Sequence, residues 1–179
     1  MANYNPSTRD RVADLIMGLH VETTGGILVA ANFTNPSQTE LFNIYGRIGI
    51  KQLFIELTAA ADANATTVAF NVTFTTPVIA LNVMQAASGS IANLGAYGRI
   101  VSTGGVVATA NIITDSAGLT DVTTSDKLHI VGGVSAAGVL TVGTIGMAAA
   151  GATQAATIAA TAHLFYVPLS VGAYATAAL

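Results

Sequence analysis

Residues 128–179 run for 52 positions without an Asp, Glu, Lys or Arg, and residues 63–98 form a second charge-free stretch. A soluble domain ordinarily has about a quarter of its residues charged, because charged heads keep the exterior wet and discourage sticking. Here only 8% are charged, and mean hydropathy is +0.63. Such segments need cover, either from lipid or from protein. The two kinds of cover imply different folds.

Lipid fits poorly. A spanning helix needs about 20 consecutive residues of real hydrophobicity. The best stretch, residues 143–164, is largely Ala, Gly and Thr, with Gln154 and His163 inside it. No Lys/Arg bias or Trp/Tyr belt flanks it on both sides. A membrane barrel would alternate in segments of about ten residues with aromatic girdles, whereas 5 Tyr and 6 Phe are spread over the chain without a Trp. The amino end carries Arg9, Asp10, Arg11 and Asp14 rather than a basic stretch and an apolar run, so a signal peptide is not expected. The expectation is no membrane.

Length and charge narrow the rest. At 179 residues the chain suits one domain, or one domain plus an arm. The absence of Cys excludes disulfides and thiolate metal sites. Nucleic acid is not an expected partner: phosphate binding needs a clustered basic face, and Arg9, Arg11, Arg47, Lys51, Arg99 and Lys127 are scattered.

The first twenty residues read differently from everything after them. Asn5 can cap a helix with Pro6 at its first position, with Ser7 the competing cap. Val12, Leu15, Ile16 and Leu19 then fall at i, i+3, i+4 and i+7, one apolar stripe of helical period. The pattern predicts a short amphipathic helix within an arm spanning residues 1–24, packed either on its own domain or on a neighbouring subunit. Residues 25–179 form a single β domain on this reading. Within it, residues 27–30, 48–58, 67–75, 78–84, 106–113, 127–131, 139–145 and 164–169 are short runs rich in Val, Ile, Thr and Phe, separated by Gly, Asn, Asp, Ser or Pro. Val68, Phe70, Val72 and Phe74 alternate with Asn71 and Thr73, as a half-buried strand requires. Turns are expected at residues 62–64 and at Gly132-Gly133. Helix-length periodic segments between the runs are lacking, which disfavours a parallel α/β fold. The expected class is mainly β: an antiparallel sandwich, jelly roll or barrel. Residues 147–162 are the hardest to assign, since six Ala in the first ten favour helix while Gly151, Thr153, Thr157, Ile158 and Thr161 favour extended chain. Extended chain is the expectation there.

Chemistry-bearing residues are few. Tyr45-Gly46-Arg47-Ile48 is echoed by Tyr97-Gly98-Arg99-Ile100, which reads as shared turn-to-strand chemistry. Arg47 and Arg99 are the candidates for bidentate pairing with carboxylates. The imidazoles are His20, His129 and His163. None lies in H-E-x-x-H or pairs with another ligand at helical spacing. Ser88, Asp126 and His129 make a triad only on paper, because no G-x-S-x-G elbow surrounds a Ser. Phosphate-loop and calcium-loop spacings are lacking too. The expectation is no catalytic, cofactor-binding or metal site, and so no enzyme and no cofactor.

Protein cover is then the reading that remains. Obligate interfaces resemble a domain core cut in half and shed charge, and uncharged Val/Thr/Ala strands are an aggregation hazard unless covered. A symmetric homo-oligomer follows, with residues 128–179 expected to hold much of the contact surface. The amino-terminal Met1-Ala2-Asn3-Tyr4, the Ala/Gly/Thr/Val-rich β body and the closing His163-Leu164-Phe165-Tyr166-Val167-Pro168-Leu169-Ser170 with Val171-Gly172-Ala173 carry a resemblance. In these respects the chain resembles small structural proteins of tailed-bacteriophage virions, particularly capsid decoration (cement) proteins. That resemblance implies a β protein, often trimeric, made in the host cytoplasm and bound outside the shell across junctions of a major capsid protein. Alternatives are another head, tail or fibre component, or a β module that stacks sugars on Tyr97, Tyr166 or Tyr174.

Overall fold

The computed structural model describes residues 18–25, 27–34, 37–76, 78–84, 87–102, 112–114, 129–133, 138–154 and 157–179. Among these residues the chain is mainly β, with twelve strands in two antiparallel sheets. The strands are β1 (Leu19–Glu22), β2 (Leu28–Val29), β3 (Ser37–Tyr45), β4 (Ile48–Ala59), β5 (Thr66–Thr76) and β6 (Val78–Val83), followed by β7 (Arg99–Val101), β8 (Ile112–Thr114), β9 (His129–Val131), β10 (Val142–Gly151), β11 (Ala159–Pro168) and β12 (Tyr174–Ala177). A seven-stranded sheet has the order β1-β11-β4-β7-β8, with β2 also pairing β11 and β9 pairing β4. A five-stranded sheet runs β12-β3-β10-β5-β6.

One apolar core joins the inner faces of both sheets. Leu53, Ile55, Leu57, Ala160, Ala162 and Leu164 come from the larger sheet, and Phe42, Ile44, Val68, Phe70, Ile145 and Met147 from the smaller. The small Ala160 and Ala162 stand opposite the bulky Leu57 and Ile55 in the β11–β4 register, so that pair of central strands alternates large and small along its inner face. The expected face of β5 holds for Val68, Phe70 and Val72, which are buried, and in part for Phe74, which is half-buried against the core; Asn71, expected on the opposite face, is buried as well.

The two sheets divide the charge unequally. Glu40 is the sole charged residue in the sequences of the five strands β12, β3, β10, β5 and β6. Glu22, Lys51, Glu56 and Arg99 all lie on the seven-stranded sheet.

Several elements differ from the sequence reading, each for an identifiable reason. Most of the predicted amino-terminal helix lies outside the described residues, and its last position, Leu19, begins β1 instead. Leu19, His20, Val21 and Glu22 pair with Tyr166, Phe165, Leu164 and His163. At Leu19 ladder pairing along β11 takes precedence over the helical period, and β pairing therefore starts before residue 25. The strand expected at 27–30 is only β2, because the Asn32 side chain accepts from Val29 N–H and turns the chain into a short 3-10 segment, Ala30–Phe33. β3 has no counterpart in the sequence reading. A register shift opposite Ile145 and Gly146 places Leu41 and Phe42 both in the core, which breaks the alternation that would mark a strand. Of the run at 106–113, only 112–113 falls in described residues, in β8. Of residues 147–162, 147–151 and 159–162 are strand, since β10 runs to Gly151 and β11 starts at Ala159, and the described residues between them are a bend and turn connection. β10 pairs with β3 on one side and β5 on the other, and those two ladders override the helix preference of its alanines.

The charge-free tail acquires a different explanation from the expected one. It supplies β10 and β11, which have strand neighbours on both sides, and their inward residues are core of the same chain. Its exposed apolar residues are fewer: Val139, Leu169, Val171 and Tyr174 stand among them.

Candidate functional site

His20, Glu22, Glu56, Arg99 and His163 gather on the outer face of the seven-stranded sheet. His20 and Glu22 are two apart on β1, so both side chains leave the same face. In register opposite them on β11 stand Phe165 and His163, and opposite those on β4 stand Gln52 and Phe54. One row further along the β4–β7 pair, Glu56 faces Arg99.

Two features fix β1 at this edge. Thr23 locks its end, since Thr23 N–H donates to the Ala162 carbonyl at 3.0 Å and Ala162 N–H donates back to Thr23 Oγ1 at 3.0 Å. Gly18 starts it at φ +79°, where a Cβ would meet the Tyr166 carbonyl oxygen at 3.0 Å. A side chain there would be strained in both backbone and contact.

The rings on this face stack. His20 lies on Phe165 with centroids 4.3 Å apart, and His163 on Phe54 at 4.7 Å. The guanidinium carbon of Arg99 sits 5.2 Å from the Phe54 centroid while its Nε donates to Glu56 Oε2 at 2.6 Å. Within this frame three ligand-type atoms converge. His20 Nε2 is 3.3 Å from His163 Nδ1, and Glu22 Oε2 is 3.4 Å from His163 Nδ1 and 3.9 Å from His20 Nε2. Burial pushes the His163 imidazole below its ordinary pKa, with Glu22 and Glu56 opposing that shift and His20 and Arg99 adding to it. The neutral ring, with a lone pair to offer, is thereby favoured.

Other residues singled out by the sequence are placed elsewhere. Arg99 makes the carboxylate contact expected of it. Exposed Arg47 acts through its backbone, receiving Leu169 N–H at its carbonyl and donating to Ser170 Oγ. Ser88 is buried in a backbone role: its Oγ accepts from Val68 N–H and donates to the Gly89 carbonyl. His129 lies on β9 at another place in the same seven-stranded sheet, in register with Ile50 on β4, and Asp126 is outside the described residues. Tyr97 and Tyr174 are exposed, and Tyr174 stacks on Tyr45 at 4.4 Å. Tyr166 is buried and unavailable to a sugar.

Sequence reasoning misses the His20, Glu22 and His163 cluster because the apolar stripe ending at Leu19 has helical period. Two positions apart on a helix point roughly 200° from one another, and only a strand puts His20 and Glu22 side by side. His163 is 143 residues away in sequence, beyond any local pattern.

Compared with known protein families, curated proteins and solved structures, the chain matches none. Among the described residues no helix is long and apolar enough to cross a membrane.

Proposed function

We propose that the chain is a non-enzymatic structural protein of a virion, a capsid decoration or cement protein that self-associates as a trimer and binds across major capsid subunits on the outer surface of the shell. On this reading the two sheets form a sandwich whose outer faces have different duties. The observation that supports it is the near-absence of charge from the five-stranded sheet, where Glu40 stands alone among five strands. Gln38, Asn43, Thr73, Thr144 and Thr176 give that sheet neutral polarity rather than charge. A neutral, Thr- and Ala-rich sheet surface is inexpensive to desolvate against another protein. It also invites sticking when bare. Exposed Val139, Leu169 and Val171 add apolar surface suited to the same cover.

Purified full-length protein should sediment as a stable oligomer and bind expanded, mature capsids of its source particle. A monomer without particle affinity would overturn the proposal.

A further inference from the structure

We propose that His20, Glu22 and His163 form a binding site for one divalent transition-metal ion of the zinc class, clipping β1 to β11. The three ligand atoms are spaced for a single ion. A triangle with sides 3.3, 3.4 and 3.9 Å has a centre about 2.1 Å from every corner, the length of a zinc–nitrogen or zinc–carboxylate bond. An ion at that point, or slightly above the plane, reaches all three atoms without rearrangement of the backbone.

Hydrogen bonding alone leaves the cluster incomplete. With both imidazoles neutral, one ring N–H satisfies the contact between His20 Nε2 and His163 Nδ1. If His20 donates, Glu22 Oε2 then faces the lone pair of His163 Nδ1 at 3.4 Å. If His163 Nδ1–H is the donor, it is shared between His20 Nε2 at 3.3 Å and Glu22 Oε2 at 3.4 Å, and the lone pair of His20 Nε2 faces the carboxylate only at 3.9 Å. In both tautomers a single ring proton serves three atoms that can each offer a lone pair. A cation at the centre, with both rings in the tautomer that leaves these nitrogens unprotonated, takes a lone pair from each of the three atoms.

The donor set selects the class of ion. Two imidazole nitrogens and one carboxylate oxygen suit zinc, cobalt, nickel or copper, whereas calcium and magnesium ask for oxygen ligands alone. The rings are held in place before binding, His20 by Phe165 and His163 by Phe54. This lowers the ordering cost of coordination. His20 and Glu22 remain partly exposed at side-chain accessibilities of 39% and 57%, so an ion can enter from solvent and keep a fourth position for water. The site belongs to the chain by itself and stands whether or not the protein is part of a virion.

The test uses full-length protein stripped of metal by chelator and titrated with zinc by calorimetry, then with cobalt followed by its visible absorption. One ion per chain is expected, with cobalt bands of a four-coordinate site and a rise in thermal midpoint on adding zinc. His20→Gln and Glu22→Gln, both exposed enough to leave the fold intact, should each weaken binding at least about tenfold, the scale of losing even an outer-sphere partner. His163→Ala should do the same, and His129→Gln should not. Failure to saturate near one ion per chain overturns the proposal. So does undiminished affinity in the His20 and Glu22 variants, which would put the ion elsewhere.

Discussion

The hydroxyl of Tyr166 accepts a hydrogen bond from the backbone N–H of Ala175 at 3.1 Å, and both residues are buried. Tyr166 belongs to β11 of the seven-stranded sheet and Ala175 to β12 of the five-stranded one, so a single phenol ties the two sheets through the core. Tyr166→Phe keeps the ring and deletes the acceptor, leaving a buried N–H unpaired. That costs about 1–3 kcal/mol. Urea unfolding followed by circular dichroism should show a lower midpoint with unchanged slope. An unchanged midpoint would mean that this N–H already has another partner.

Gln154 performs a comparable duty for the loop after β4. Its Oε1 accepts from Asp62 N–H at 3.0 Å, and its Nε2 donates to the Asn64 carbonyl at 2.6 Å and to Thr66 Oγ1 at 2.9 Å. The residue is 2% exposed, so water does not replace these partners easily. Gln154→Leu should therefore destabilise by about 2–4 kcal/mol, lowering the thermal midpoint by roughly 5–15 °C for a chain of this size. Gln154→Glu should be at least as harmful, because it aims a carboxylate at the Asn64 carbonyl. A midpoint within a degree or two of the parent in either variant would show that these bonds are dispensable.

Anchors of this kind join residues far apart in sequence, and local patterns do not report them. β5 is legible because the alternation of Val68, Phe70 and Val72 reports a buried face, β4 because of its run of Ile, Leu and Phe, and the turn at 62–64 because Asp62 Oδ1 takes the Asn64 N–H two residues on. β3 is hidden by its bulge, which makes Leu41 and Phe42 neighbours in the core. β1 is hidden by a local apolar stripe that competes with a ladder to β11 formed across the length of the chain. The Tyr-Gly-Arg-Ile echo is a warning of another sort. Positive φ falls on Gly46 in the first copy, at +75°, and on Tyr97 in the second, at +68°, so the same four letters bend the chain at different residues. The His20, Glu22 and His163 cluster depends on strand register and becomes legible only once β1 and β11 are paired.

His129 gives the fold a pH dependence with a defined sign. Burial on β9 lowers its pKa from the ordinary value of 6.5, so the unfolded chain takes up the proton before the folded one does. Between those two pKa values the unfolded state binds more protons, and stability rises with pH. The contribution is complete above about 6.5 and is lost progressively as pH falls toward the folded value. Unfolding free energy measured from about pH 7.5 down to about pH 5 should decline, and the decline should be shallower in His129→Gln. His163, lowered mainly by burial, acts in the same direction, so a variant lacking both imidazoles should be the flattest. An undiminished slope in His129→Gln would show that this ring is not a source of the effect.

The neutral outer face of the five-stranded sheet makes the sharpest prediction about assembly. Thr144 stands near its middle on β10, between Asn43 on β3 and Thr73 on β5, while its neighbour Ile145 points into the core. Thr144→Arg therefore places a cation on this neutral face without entering the core, and the folded chain should keep its circular dichroism spectrum and thermal midpoint as a monomer. If a second copy covers this face, the guanidinium must be desolvated opposite Thr and Asn side chains that cannot neutralise it. An unpaired charge buried in that way costs several kcal/mol, of order 3–5 in measured cases. Sedimentation at micromolar concentration should then show dissociation, with the equilibrium constant shifted by roughly a hundredfold or more. A charge of the same kind at Gln52→Arg, on the outer face of the already charged sheet, should leave association unchanged. Equal association by Thr144→Arg and the parent would establish that the neutral sheet faces water, and its low charge would then have to be explained by hydration from Thr, Asn and Gln alone.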